Sequence, residues 1–110
     1  LIYTQGNEVR EIKGDRQSLG YKTTKADYEF NNHEIDLSHT TACYLSTDGL
    51  FDQNGIANEY GFGTKRFKEL IVGIHEQSMN EQKEIILNTL DRYMGSEDQR
   101  DDIALIGFKF

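Results

Sequence analysis

Apolar and polar positions change period halfway along this chain, and that change sorts the elements it predicts. In the second half Phe67, Leu70, Ile71 and Ile74 fall at i, i+3, i+4 and i+7, one face of a helix running from about Thr64 to Glu76. A second helix begins at Ser78, where Glu81 three positions on completes a capping box. Its stripe is Met79, Ile86, Leu90 and Tyr93, widened by Ile85 and Met94, and Gly95 closes it. The first half alternates at period two. Leu1–Thr4 and Glu8–Lys13 read as strands around the turn Gln5-Gly6-Asn7, a hairpin, and Gly14 to Gly20 is a loop. Tyr28–Phe30 and Glu34–Leu37 alternate as an exposed or edge strand would, whereas Thr41–Thr47 reads as an inner strand. The chain finishes with the nearly continuous apolar run Ile103–Phe110, the pattern of an interior strand. Each helix has one apolar face, so both belong against a sheet.

Composition narrows the class. With 110 residues, no proline, no repeat and no linker, residues 1–110 read as one unit able to bury a core. No apolar run approaches the roughly 20 residues a membrane helix needs, so this segment is expected to make no direct membrane contact. The start at Leu-Ile-Tyr, without methionine or signal segment, reads like a piece cut from something longer, and an upstream membrane anchor stays open. A single cysteine, Cys43, excludes a disulfide framework and a cysteine zinc cage; it is expected to be a buried thiol in a reducing, cytoplasmic compartment. Net charge is −7, unevenly spread: residues 10–25 hold five cations against two acids, which leaves −10 for the rest. Such a surface repels a nucleic-acid backbone. The small basic stretch suits a phosphorylated group on a protein; a solvated loop is the plainer reading, and both stand.

Chemistry enters at the end of the inner strand, which runs directly into Asp48-Gly49 with no residue of opposite charge within four positions. The last strand starts just after Asp101-Asp102, 53 residues beyond Asp48. If the two strands are antiparallel neighbours, Asp48 and Asp101 meet at one edge of the sheet. Two carboxylates without a cation between them repel, and one must take a proton or both must share a metal ion. Hard oxygen donors of this kind suit Mg²⁺ or Mn²⁺. A solvated turn and an acidic loop explain the same spacing without a metal.

The blocks "YLSTDGLFDQ" and "QRDDIALIGFKF", with "FGTKRFKEL" and "SMNEQKEII" between them and "IKGDRQSLGY" upstream, resemble the C-terminal half of a bacterial SpoIIE-type serine/threonine phosphatase. That is the RsbU-like branch of the metal-dependent type 2C protein phosphatases. The resemblance covers nearly the whole chain, with the blocks in the family's order. It implies an α+β fold, part of a layered β-sandwich of antiparallel sheets flanked by helices, with the N-terminal half absent. It also implies a binuclear Mn²⁺ or Mg²⁺ centre that activates a water for phosphomonoester hydrolysis, with no covalent nucleophile. On this resemblance Asp48 and Asp101 match metal ligands, Gly49 belongs to the ligating turn, and Asp102, where many relatives have asparagine, supports the ligands from behind. The implied substrate is a phosphorylated regulator in bacterial signal transduction, of the anti-sigma-factor antagonist kind.

The chain departs from the family in having Thr40-Thr41 where Gly-Asp often precedes the inner strand, and in lacking the acidic strand and the Gly-His-Gly motif that complete the centre. His33, His39 and His75 have no ligand-like spacing and read as surface or structural residues. This segment alone is therefore expected to be inactive. A non-catalytic phosphatase-like interaction module is the alternative. A nucleotide-binding domain is disfavoured, because no glycine-rich phosphate loop occurs.

Overall fold

The computed structural model describes residues 1–56 and 60–110. Four strands and three helices follow in the order β1 (Ile2–Gln5), β2 (Glu8–Glu11), β3 (Thr40–Ser46), α1 (Gly49–Asp52), α2 (Gly63–Ile74), α3 (Met79–Met94) and β4 (Leu105–Lys109). The strands form one antiparallel sheet ordered β2-β1-β3-β4. Its hairpin turns on the two residues between Gln5 and Glu8, which face each other across the ladder. Gly6 sits there at φ +58°, a conformation that a two-residue hairpin loop requires and that costs glycine nothing.

Helices cover one face of this sheet. Ile2, Ala42 and Tyr44 point into a core completed by Leu50, Phe62, Phe67, Ile71, Ile74, Ile86 and Leu90. Phe67 is wholly buried, with the rings of Tyr44 and Phe51 edge-on at 5.9 and 5.8 Å. The helical stripes predicted from spacing face the core, with Phe67, Ile71, Ile74, Ile86 and Leu90 buried and Leu70, Met79, Ile85, Tyr93 and Met94 half-buried, and the Ser78 capping box forms: Glu81 N–H donates to Ser78 Oγ at 3.3 Å and Ser78 N–H to Glu81 Oε2 at 2.9 Å. Gly95 closes α3 at φ +56°.

One buried polar side chain ties helices to sheet. Gln82 accepts the Tyr44 hydroxyl at 2.6 Å and donates to the carbonyls of His75 and Gln77 at 3.1 and 2.9 Å. The amide thus satisfies the open end of α2 and the only polar atom of a core tyrosine. Burial pushes the Tyr44 hydroxyl up to about 12, so it remains a donor throughout the physiological range. Cys43 is buried as expected, and burial raises its thiol as well.

Two strand expectations fail. Tyr28–Phe30 and Glu34–Leu37 are not strands; the rings of Tyr28 and Phe30 meet at 4.9 Å, but their backbone finds no ladder. Alternation makes a strand only where a neighbouring strand takes up the N–H and C=O groups. The final run is a strand but not an interior one: β4 pairs with β3 alone and lies at the sheet edge, with Ile106, Phe108 and Phe110 exposed on the face away from the helices. Apolar residues on both faces report that both faces are meant to be covered, and here the helices cover only one.

Candidate metal centre

β3 and β4 are antiparallel neighbours with Ser46 opposite Leu105, so the residues after the one and before the other share an end of the sheet. Side chain and backbone lock them there. Thr47 Oγ1 donates to the Asp102 carbonyl at 2.9 Å and accepts the Ala104 N–H at 3.0 Å, while Thr47 N–H donates to the Ala104 carbonyl at 3.0 Å. Gly49 then touches the opposite segment directly: a Cβ there would overlap the Asp102 carbonyl oxygen and lie 3.3 Å from the Asp101 carbonyl carbon. Only glycine lets the two acidic turns approach this closely. Asp48 and Asp101 thus flank one backbone contact, as the strand pairing requires.

Asp48 precedes the short helix α1 with helical backbone angles of its own, φ −67° and ψ −26°, so its side chain is not placed to cap the first turn and makes no capping bond. Asp101 turns one carboxylate oxygen back to accept the Asp102 N–H at 2.7 Å. Among the described residues, neither Asp48 nor Asp101 takes part in an ion pair. Asp102 supports the contact through its backbone carbonyl, held by Thr47.

A residue that spacing does not reveal holds the Asp101 segment in place. Gln53 is wholly buried; its amide donates to the carbonyls of Asn54 and Asp98 at 3.1 and 3.0 Å and accepts the Arg100 N–H at 3.0 Å. Gln53 therefore fixes the three residues that lead into Asp101 from the far side of α1. Its side chain had no signal of its own in the sequence, because a glutamine after an acidic turn reads as solvent-facing.

The three histidines stay apart from this end in role. His33 and His39 are exposed, and His75 is buried at the end of α2 with Nδ1 3.0 Å from the Val72 carbonyl. No three His, Cys, Asp or Glu side chains gather closely enough to hold an ion by themselves among the described residues. What the sheet end offers is two uncompensated carboxylates on adjoining turns, hard oxygen donors that fit part of a Mg²⁺ or Mn²⁺ coordination sphere.

The loop joining β2 to β3 leaves the same end, and its first part, residues 13–25, carries four cations against one acid. β2 finishes at Glu11, which faces Ile2, which in turn faces Tyr44; Leu1, Glu11 and Ser46 line one small cavity of about 50 Å³ together with Phe51 and Phe67. Lys68 on α2 reaches Glu11 at 2.7 Å, and this bond holds the Glu11 carboxyl below its ordinary range.

Comparison with known proteins supports the fold. The SiaA-PP2C domain of Pseudomonas aeruginosa has the same fold over 99% of the chain, with a TM-score of 0.82 and 36% sequence identity. The chain spans 42% of that domain's length. No curated protein matches. The family model for Stage II sporulation protein E (SpoIIE) matches residues 1–110, and the chain belongs to that family.

Proposed function

We propose that this chain forms the C-terminal part of a metal-dependent serine/threonine protein phosphatase acting in bacterial signalling, on a phosphorylated regulator of the anti-sigma-factor antagonist kind. One observation carries the reading: Asp48, without an ion-pair partner among the described residues, stands on a turn pressed through Gly49 against Asp101-Asp102. Asp48 and Asp101 would hold one Mn²⁺ or Mg²⁺ of a binuclear centre, whose other ligands come from outside these residues. Bound there, the metal supplies an acidified water and neutralises charge on a phosphoryl group. The chain's own residues do the positioning. Thr47 fixes the spacing of the two turns, Gly49 permits their contact, Gln53 steadies the approach to Asp101, and Asp102 contributes its carbonyl to the clamp.

The test is Asp48→Asn in the full-length protein. Asparagine keeps size and turn preference, so stability should move by no more than ~1 kcal/mol. Loss of an anionic ligand should lower Mn²⁺-dependent turnover of a phosphoserine peptide by about 10²-fold or more, roughly 3 kcal/mol in the barrier. Near wild-type turnover at saturating Mn²⁺ would overturn the metal assignment. The competing reading, a non-catalytic interaction module, draws on the lack of a three-ligand cluster among the described residues; it expects no turnover from the unaltered full-length protein at any Mn²⁺ concentration.

A further inference from the structure

We propose that the first part of the loop joining β2 to β3, residues 13–25, docks through Lys13, Arg16, Lys22 and Lys25 the acidic flanks of a phosphorylated protein segment presented to the Asp48–Asp101 end of the sheet. The inference rests on the phosphatase reading and goes beyond it, assigning where the partner binds and what charge it carries.

Topology places the loop. Because Glu11 faces Ile2 and Ile2 faces Tyr44, β2 emerges at the end of the sheet where β3 runs into Asp48. It lies two strand spacings from β3, roughly 10 Å, a distance that a few residues of an extended peptide span. Lys13 and Arg16 come immediately after that exit.

Charge selects the partner. Within residues 10–25 the two acids are engaged, Glu11 by Lys68 at 2.7 Å and Asp15 by Asn31, whose N–H and side-chain amide both donate to it at 2.7 Å. Arg10 is bound to Glu8 at 3.0 Å. Lys13, Arg16, Lys22 and Lys25 are exposed, and their side chains make no hydrogen bond or ion pair among the described residues. They form a cationic stretch on a body whose remaining residues carry −10. An acidic segment is disfavoured by the net charge of the remaining residues and attracted by these four cations, which gives the encounter a direction.

The loop is also built rather than merely solvated. The two Asp15–Asn31 bonds close it across sixteen residues, and Thr24 Oγ1 donates to the Ser18 carbonyl at 2.7 Å while accepting the Tyr21 N–H at 3.1 Å. Leu19 and Tyr21 stand 73% and 70% exposed on the folded-back tip, apolar contacts set among the cations as at a protein interface.

The experiment uses the full-length protein with Mn²⁺ and three probes: para-nitrophenyl phosphate, a phosphoserine peptide flanked by glutamates, and the same peptide flanked by glutamines. At low ionic strength kcat/KM for the glutamate peptide should exceed that for the glutamine peptide by about tenfold, shrinking as salt screens the loop. Replacing Lys13, Arg16, Lys22 and Lys25 together by Gln should make the two peptides equivalent, whereas exchanging Lys for Arg and Arg for Lys at the same positions should keep the preference. Should the fourfold variant lose cooperative melting, Arg16→Gln with Lys22→Gln is read instead and should remove about half of the logarithmic preference. Equal treatment of the peptides by the unaltered protein, or a preference that survives neutralisation, overturns the docking assignment and leaves the phosphatase reading intact. Failure to hydrolyse any of the three probes overturns both.

Discussion

Gln53 shows how much a single residue can hide from a sequence reading. It lies inside the motif around Asp48, yet its partners Asp98 and Arg100 are 45 and 47 residues away, and nothing local predicts that its amide is buried. Periodicity finds apolar residues that must be covered; it is blind to a polar side chain whose burial depends on distant backbone. Replacing Gln53 by Leu keeps the volume but leaves the Asp98 carbonyl and the Arg100 N–H without partners. Each such group costs about 1–3 kcal/mol, so denaturant unfolding should show a loss of about 2 kcal/mol or more. The loop into Asp101 should loosen with it, and hydrogen exchange at Asp98–Asp102 should quicken beyond the global change. Uniform quickening across the chain would mean that Gln53 is only a packing residue. That Asp48 and Asp101 come to the same end of the sheet was, by contrast, legible, because antiparallel neighbours leave little freedom in where the strand ends go.

At the scale of elements, legibility followed how local the cause is. The two long helices, α2 and α3, were readable to within about two residues because their apolar stripes and the Ser78–Glu81 cap are set within a few positions, whereas the short α1 after Asp48 was read as a turn. Ser78→Ala removes the cap acceptor and should cost about 1 kcal/mol in thermal or denaturant unfolding; no measurable loss would show that packing alone holds the start of α3. β4 was read as interior because its pattern specifies covered faces, whereas only tertiary partners decide whether they are covered. The pairing of β2 with α2 was not readable at all, since Glu11 and Lys68 are 57 residues apart. Their bond gives stability a pH dependence of known sign. The Lys68 hydrogen bond, ahead of its charge, holds the Glu11 carboxyl below the ordinary 4.5 in the folded protein. The contribution is therefore complete above about pH 4.5 and fades as pH falls through the lower folded value. Lys68→Met should cost less than ~1 kcal/mol at pH 7, because the pair is part-exposed, and should flatten the loss of stability below pH 4.5. An unchanged acid limb would assign that limb to other carboxylates.

For the whole molecule the informative surface is the sheet face opposite the helices. Ile106 is 63% and Phe110 60% exposed, with Leu45 and Phe108 beside them, while Tyr44 and Leu105 on the other face pack into the core. A cluster of large apolar side chains on one side of a sheet signals an interface more often than a solvent face. On the proposed reading the remainder of a phosphatase domain lies over it, making the second layer of a sandwich and bringing the missing ligands to Asp48 and Asp101. Ile106→Thr with Phe108→Thr tests that arrangement, since threonine keeps strand propensity while removing the apolar area. In the 110-residue chain Ile106 is 63% and Phe108 38% exposed, so unfolding should shift by less than in the full-length protein, about 1–2 kcal/mol, and binding of a hydrophobic dye should fall. In the full-length protein the same pair should cost about 3 kcal/mol or more through lost burial and cavity formation, lowering the melting temperature by several degrees. It should also weaken Mn²⁺ binding, because the two halves of the centre would no longer be held in register. Equal shifts in both proteins would mean that this face is solvent-exposed in the full-length protein, and that the ligands completing the centre arrive by a route other than a second sheet packed on β3 and β4.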